Sequence, residues 1–501
     1  MTQSNITQKN GKGNEDRGHT AHIREAETLG LPGTMSRPIK ITMLGAGSAF
    51  TPRLVNDVLR IPNNAGGSIA LVDIDARRLE IMRQLVLKLL DHLAIPGWSV
   101  EATTDRREVL AGSDYVVSCI EVSGLDCVVY DNDIPLKYGV DQCIGDTIGP
   151  GGLFKALRTI PVWIEVLKDC EELCPEALVL NYTNPMSMMC LAAGRASTMN
   201  VVGLCHSVQA TSKLLAEYAG VALDEMDWDC AGINHLAWFT RLRHKGEDLY
   251  PRLRDSFTSD LDLALHEYDD GLALSDASDP NGEAKRYTVT DIVRKDMCLQ
   301  FGAFITESSG HLSEYLPYYR KSPEGRKFLR LGYDGGSRYY ATNWPRWRQR
   351  NEDERDAILQ GEKTIEWPRS WEYASWIIEG REKDSPFRFY GNVMNRQRES
   401  DSRLIGNLPA DGCVEVACFS DRRGIHPVTY GPLPPAMAGV CSSNMAMFSL
   451  GAQAALDRSV ETAVEALLLD PLTAAVCTPA QIRAMVLELF EAEKKWLPDY
   501  R

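Results

Sequence analysis

No run of about 18 apolar residues, the length a membrane-spanning helix requires, occurs in this 501-residue chain. An excess of positive charge is missing too. The 54 Lys and Arg against 69 Asp and Glu leave a formal charge of −15, which argues against a nucleic-acid partner or an anionic membrane surface. The thirteen cysteines are an odd count without regular spacing, so they read as free thiols of a reducing cytoplasm rather than a disulfide framework. No apolar leader opens the chain. Residues 1–36 are polar and read as a disordered leader, and Met35, directly before the first strand, is a candidate start. What is present is ordinary globular composition, 44% apolar and 25% charged, with length enough for two or three lobes.

Along the chain, short apolar runs alternate with helical patterns. Ile39–Leu44, Ser68–Val72, Tyr115–Cys119, Ala177–Leu180 and Val201–Leu204 predict strands, and Ala76–Leu93 predicts a long amphipathic helix. This alternation implies an α/β class, an N-terminal Rossmann-type doubly wound parallel sheet over residues 37–205. Beyond it the alternation weakens, and residues 206–501 read as an α+β, mostly helical lobe for substrate, metal and oligomer contacts. The charged stretch Asn351–Lys363 predicts a solvated helix. Thr478-Pro479 predicts the start of another, with Ile482, Met485, Val486, Leu489 and Phe490 on one face.

Gly45-Ala46-Gly47-Ser48 follows the first strand and opens a helix, the context of a dinucleotide fingerprint, although Phe50 stands where a third glycine is usual. Glycines there let the backbone approach a pyrophosphate at a helix N-terminus. Asp73, ending the second strand, is placed to accept the ribose hydroxyls and to repel a 2′-phosphate, favouring NAD+ over NADP; Asp75 is the alternative. Asn184 lies near the carboxyl end of another strand, where its amide could hold a nicotinamide ribose or sugar hydroxyl, or simply make a turn before Pro185.

Cys205 and His235, each near a strand end, could meet around one divalent ion with positions left open for substrate oxygens. Taken singly, each is more often a buried structural residue. Softness rules lean toward zinc for a thiolate and an imidazole. Tyr315, Tyr318 and Tyr319 follow the string Thr306–His311. An aromatic cluster is usually core, but a phenol beside a metal and a positive nicotinamide ring would have a lowered pKa and could act as a base.

In this order, Gly203–Val208, Gly232–His235 and Glu314–Tyr319 resemble glycoside hydrolase family 4, with further matches at Gly145–Gly152, Leu157–Pro161, Tyr390–Val393 and Val414–Cys418. The likeness runs from about Ile39 to near the C-terminus, and Cys205-His206-Ser207-Val208 is similar to the α-galactosidase branch. This resemblance implies a glycosidase needing NAD+ and Mn²⁺, an exception to two-carboxylate glycoside hydrolysis. It implies Cys205 and His235 as Mn²⁺ ligands, Tyr315 as the base at sugar C2, His206 as the acid for the leaving group, and Asn184 as a substrate and cofactor contact. His206 stands where branches acting on phosphorylated sugars carry Asp or Asn, so a phosphosugar is disfavoured.

The implied reaction is C3 oxidation, C2 deprotonation, elimination, water addition and reduction on a small-molecule α-glycoside, in a homodimer or homotetramer. Two departures stand out: Ala49-Phe50-Thr51-Pro52 differs from the nearest α-galactosidases, and the Trp/Arg-rich segment Trp344–Arg350 is read as an insert that reshapes the sugar pocket or an oligomer contact. The arginines between Arg320 and Arg350 leave open an anionic hexoside: a glucuronide, galacturonide or sulfoquinovoside. A plain NAD-dependent sugar dehydrogenase and a non-catalytic NAD-binding regulator are the readings from other classes.

Overall fold

Six strands buried between helices carry the N-terminal part of a computed structural model that describes residues 30–269, 288–396 and 402–501. They are β1 (Ile39–Leu44), β2 (Gly67–Val72), β3 (Trp98–Thr103), β4 (Tyr115–Ser118), β5 (Leu178–Asn181) and β6 (Asn200–Leu204). All pair in parallel, in the spatial order β3-β2-β1-β4-β5-β6. That is the Rossmann order, whose direction of winding reverses between β1 and β4 and opens a crevice at the strands' carboxyl ends. The apolar runs behind β1, β4 and β5 suit strands covered on both faces. β3 escapes the apolar-run criterion because its sequence, Trp-Ser-Val-Glu-Ala-Thr, alternates along an edge.

The helix Ala76–Leu93 forms where its pattern predicts: the Asp75 carboxylate caps it by accepting from the Arg77 and Arg78 amides, and Leu79, Met82, Leu85, Val86 and Leu89 are buried. Pro479–Glu493 also forms, closed by a capping box between Thr478 and Gln481, with Ile482, Met485, Val486 and Leu489 buried and Phe490 only partly so.

After β6 the sheet does not stop. β7 (Met226–Ile233), β8 (Leu236–His244), β9 (Glu247–Asp248), β10 (Phe304–Ile305), β11 (Phe387–Met394), β12 (Cys413–Asp421) and β13 (Gly424–Pro427) extend it in antiparallel fashion. The main path becomes β10-β8-β7-β12-β11-β6, so the C-terminal part is built on the same sheet and crosses residue 205 without a break. No helix among the described residues is long and apolar enough to cross a membrane.

Two sequence expectations change. Of the leader assigned to 1–36, residues 1–29 lie outside the described residues, but 30–36 are tied down. The Leu31 amide donates to Glu379 (2.8 Å), Lys383 Nζ donates to the Leu31 carbonyl (3.0 Å), the Met35 amide donates to the Asn63 carbonyl (3.1 Å), and the Met35 side chain is buried. The charged stretch 351–363 is only the end of a 22-residue helix, Tyr339–Gln360, which absorbs the Trp/Arg-rich segment and carries Pro345 inside it.

Asp57 gives the fold a pH dependence. Its buried carboxylate accepts hydrogen bonds from the Ser370 amide (2.8 Å), the Ser370 hydroxyl and Asn56, tying the helix Thr51–Leu59 to the chain before Tyr373. Burial pushes it up to about 7 despite those donors. A folded-state value above that of the unfolded chain, about 3.9, contributes stability that is complete below the unfolded value and is lost as pH rises through 7. Thermal melts should therefore show the midpoint falling from about pH 5 to about pH 8, and Asp57→Asn should flatten that slope.

Candidate active site and cofactor cleft

The glycine turn after β1 opens a cavity of about 800 Å³ at the β1/β4 reversal. Gly45 and Ser48 line it, as do Asp73 from the end of β2 and Cys119 to Asp126 from the loop after β4. A Cβ at Gly45 (φ +73°) would sit 2.5 Å from the Cys119 carbonyl oxygen, so the turn requires glycine. Gly47 is not on the cavity wall. Its amide donates to Asp73 Oδ2 (2.7 Å), and a Cβ there would meet that same oxygen at 2.8 Å. Asp73 and Asp75 both line the cavity and both are engaged: Asp75 Oδ1 caps its helix, while Asp73 accepts the Gly47 amide at Oδ2 and the Asp75 amide at Oδ1 (2.9 Å). A glycine cradle, a helix N-terminus and a strand-end carboxylate fit a dinucleotide.

The far wall was not anticipated. Tyr340, Trp344, Trp347, Arg348 and Arg355 of the helix Tyr339–Gln360 line this cavity, as does Trp496. The segment read as an insert is therefore part of a helix that lines this cavity, which is not confined to residues 37–205.

Cys205, His235 and Glu307 each offer a ligand atom, and these atoms all lie within 4.8 Å of one another. The sheet accounts for the meeting. Gly203 of β6, Asn392 of β11, Glu415 of β12 and Gly232 of β7 pair in one row across four strands. Cys205 lies just beyond β6, and His235 occupies the tight β7–β8 turn with φ +61°. β10 pairs with β8, its continuation Thr306 bonds to Ala237, and Glu307 follows in a left-handed conformation (φ +74°). Glu307 was missed because a lone acid in Thr-Glu-Ser-Ser-Gly carries no periodic signal; strand pairing alone makes it a neighbour.

The electrostatics suit a cation. Burial pushes the His235 imidazole down to about 4, leaving it neutral with a free lone pair. Glu307 is held well below the ordinary carboxylate range. Burial opposes its ionisation, and the imidazoles of His235 and His311 and a 2.7 Å hydrogen bond from Tyr333 outweigh that. Because His235 is neutral, His311 and Tyr333 are the effective partners. Burial, with Glu415 and Glu307 nearby, pushes the Cys205 thiol up, so a cation must displace its proton. One sulfur, one neutral nitrogen and one ionised oxygen fit a divalent metal, and Glu307 makes the set harder than the pair on which the zinc argument rested.

Tyr315 is fully buried, its hydroxyl 3.4 Å from His235 Nδ1. The protein's own groups push this phenol up: burial first, then the carboxylates of Glu307, Asp146 and Glu314. The other two tyrosines part company from it, Tyr319 bonding to Asp296 (2.7 Å) and Tyr318 being exposed. His206 Nδ1 lies 3.5 Å from Glu372. Burial opposes protonation of this imidazole, but the Glu372 carboxylate prevails and raises its pKa.

Asn184 does not line the large cavity; its amide donates to Asp146 (3.3 Å), whose loop is pinned by three backbone amides, Cys143, Ile144 and Gly145, donating to Glu314. The arginines proposed for an anionic sugar divide: Arg348 and Arg350 line the large cavity, while others are engaged internally. Arg320 is buried against Asp141, and Arg330 donates to backbone carbonyls.

Fold and site together define a dinucleotide-binding α/β protein in which Cys205, His235 and Glu307 could hold a metal ion. Residues 40–221 match the model of family 4 glycosyl hydrolases, and residues 230–473 match that family's C-terminal domain. The chain belongs to glycosyl hydrolase family 4. It is 36% identical to an α-galactosidase of Bacillus subtilis, covering 92% of this chain and all of the relative, and 36% identical to an α-galactosidase of Rhizobium meliloti, covering 92% and 89%. Among solved structures, a 6-phospho-α-glucosidase from gut microorganisms, in complex with NAD and Mn²⁺, superposes with a TM-score of 0.72 over 93% of this chain and all of that one, at 20% identity.

Proposed function

We propose that the protein is an α-galactosidase that uses NAD+ and a divalent cation, Mn²⁺, to hydrolyse a neutral α-galactoside. The observation that carries this reading is the Cys205–His235–Glu307 triangle with the Tyr315 hydroxyl 3.4 Å from His235. When bound, NAD+ and the cation supply reversible hydride transfer at sugar C3 and charge stabilisation at the C2 and C3 oxygens.

The chain's own residues do the rest. Gly45, Ser48 and Asp73 seat the dinucleotide. Cys205, His235 and Glu307 hold the cation. A positive charge on those donors opposes the carboxylate field that raises the Tyr315 phenol, allowing Tyr315 to take the C2 proton. His206, whose pKa Glu372 raises against the opposing effect of burial, gives a proton to the departing C1 oxygen, and water then adds at C1. Asn184, whose amide donates to Asp146, contacts the substrate and the cofactor.

The internal engagement of Arg320 and Arg330 supports a neutral sugar over a hexuronide or sulfonate. All thirteen thiols are free, which supports a reducing cytoplasm. Assembly as a homodimer or homotetramer rests on the family resemblance.

An aryl α-galactoside incubated with the protein, NAD+, Mn²⁺ and thiol is expected to release the aryl group without net NADH. Accumulation of NADH in step with product would instead make the protein a dehydrogenase. In a panel of neutral, 6-carboxylate, 6-sulfonate and 6-phosphate glycosides, the neutral one should be turned over fastest; a faster 6-carboxylate or 6-sulfonate overturns the choice of sugar.

A further inference from the structure

Six described arginines are deeply buried, and five have partners that account for them. Arg158 meets Asp131 and Glu493, Arg294 meets Asp291, Arg320 meets Asp141, and Arg369 meets Glu379. Arg330 has backbone carbonyls instead. Arg355, 9% exposed, is the exception: among the described residues no acid or carbonyl lies within ion-pair or hydrogen-bond distance of its guanidinium. Buried charges are paired as a rule, because an unpaired one forfeits its hydration without return.

Arg355 lines the large cavity together with Arg78 and Arg348. Arg78 comes from the helix Ala76–Leu93, one NH₂ donating to the Gly47 carbonyl (2.9 Å) while its buried Nε has no partner. Arg348 is occupied by Glu352 (3.1 Å). Burial and the neighbouring Arg78 push Arg355 down to about 10, and the carboxylates of Glu352 and Glu354 offset this only in part. Two guanidiniums from two separate helices, Ala76–Leu93 and Tyr339–Gln360, thus line one cavity with the glycine turn.

We propose that Arg355 and Arg78 form a phosphate-binding pair for the dinucleotide, so that the Trp/Arg-rich helix supplies the second jaw of the cofactor site. This rests on the dinucleotide reading given above. Guanidiniums suit phosphoester oxygens through paired N–H donors. The phosphate is either the pyrophosphate common to NAD and ADP-ribose or the 2′-phosphate of NADP, and a ligand series separates the two.

Calorimetric titration of the metal-free protein with NAD+, ADP-ribose, NADP and adenosine tests it. Arg355→Ala and, separately, the less buried Arg78→Gln are expected to weaken NAD+ and ADP-ribose at least tenfold while leaving adenosine unchanged. Loss confined to NADP would keep the pair as a phosphate site but move it to the 2′-phosphate. Equal affinities for all four ligands, or a loss as large for adenosine, overturns the proposal. Arg355→Lys should recover part of the loss if charge is what matters, and none if the side chain only fills space. Failure of the unaltered protein to bind NAD+ at all would instead sink the dinucleotide reading.

Discussion

Cys205→Ala is expected to lower kcat for an aryl α-galactoside by at least about a thousandfold, because a catalytic cation supplies several kcal/mol of charge stabilisation. The same variant should lose Mn²⁺ binding by calorimetry yet keep its affinity for NAD+, since the dinucleotide cavity is lined by the turn after β1 and the loop after β4. The unaltered protein adds a signature. Burial and two carboxylates push the Cys205 thiol up, whereas His235 is already neutral above about 4, so cation binding should release a proton from sulfur. Apparent Mn²⁺ affinity should accordingly rise with pH through the neutral range. Retention of tight Mn²⁺ binding by the alanine variant would remove sulfur from the site.

The second large effect falls on Tyr315. Phenylalanine keeps the ring in its buried slot against Phe448 and His311, so the fold should be undisturbed. Removal of the hydroxyl should lower kcat by about 10²- to 10⁴-fold, the usual span for a general base, with NAD+ and Mn²⁺ affinities unchanged. The telling readout is isotopic. Deuterium at sugar C2 should wash into solvent with the unaltered enzyme and stay in place with Tyr315→Phe. Continued exchange in the variant would assign proton removal to another group, with His311 the nearest imidazole to that ring.

Where a segment's own pattern carried its structure, the sequence could be read. β1 was legible as an apolar run, and Ala76–Leu93 as a 3.6-residue stripe after an acidic cap. Cys205, His235 and Tyr315 were singled out by residue type and by family strings, and the structure brings the three together. What escaped depended on partners distant in the chain. β7 begins as the alternating Met-Asp-Trp-Asp and switches to Cys-Ala-Gly-Ile at a register shift between Asp229 and Cys230, so neither pattern runs its length; it becomes a strand by pairing with β8 and β12. Glu307 gains its place only through the β10–β8 ladder. The helix Tyr339–Gln360 was obscured by Pro345 and by a Trp/Arg composition that looks like a surface insertion until the cavity behind it is seen. Leu31 and Met35 sit in polar company, and only Glu379, Lys383 and Asn63 give them an address.

The row Gly203–Asn392–Glu415–Gly232 bears on how such an enzyme can diversify. Because the sulfur and the imidazole follow the two end strands of one four-strand row, their separation is set by backbone pairing within a single sheet and not by how two lobes happen to settle. New sugars can then be admitted by editing the loops above that ladder, leaving the spacing between redox carrier and cation untouched. A one-residue slip of the Glu415 strand, by contrast, would turn its inward side chains outward and dismantle the chemistry before any change of specificity could be tried.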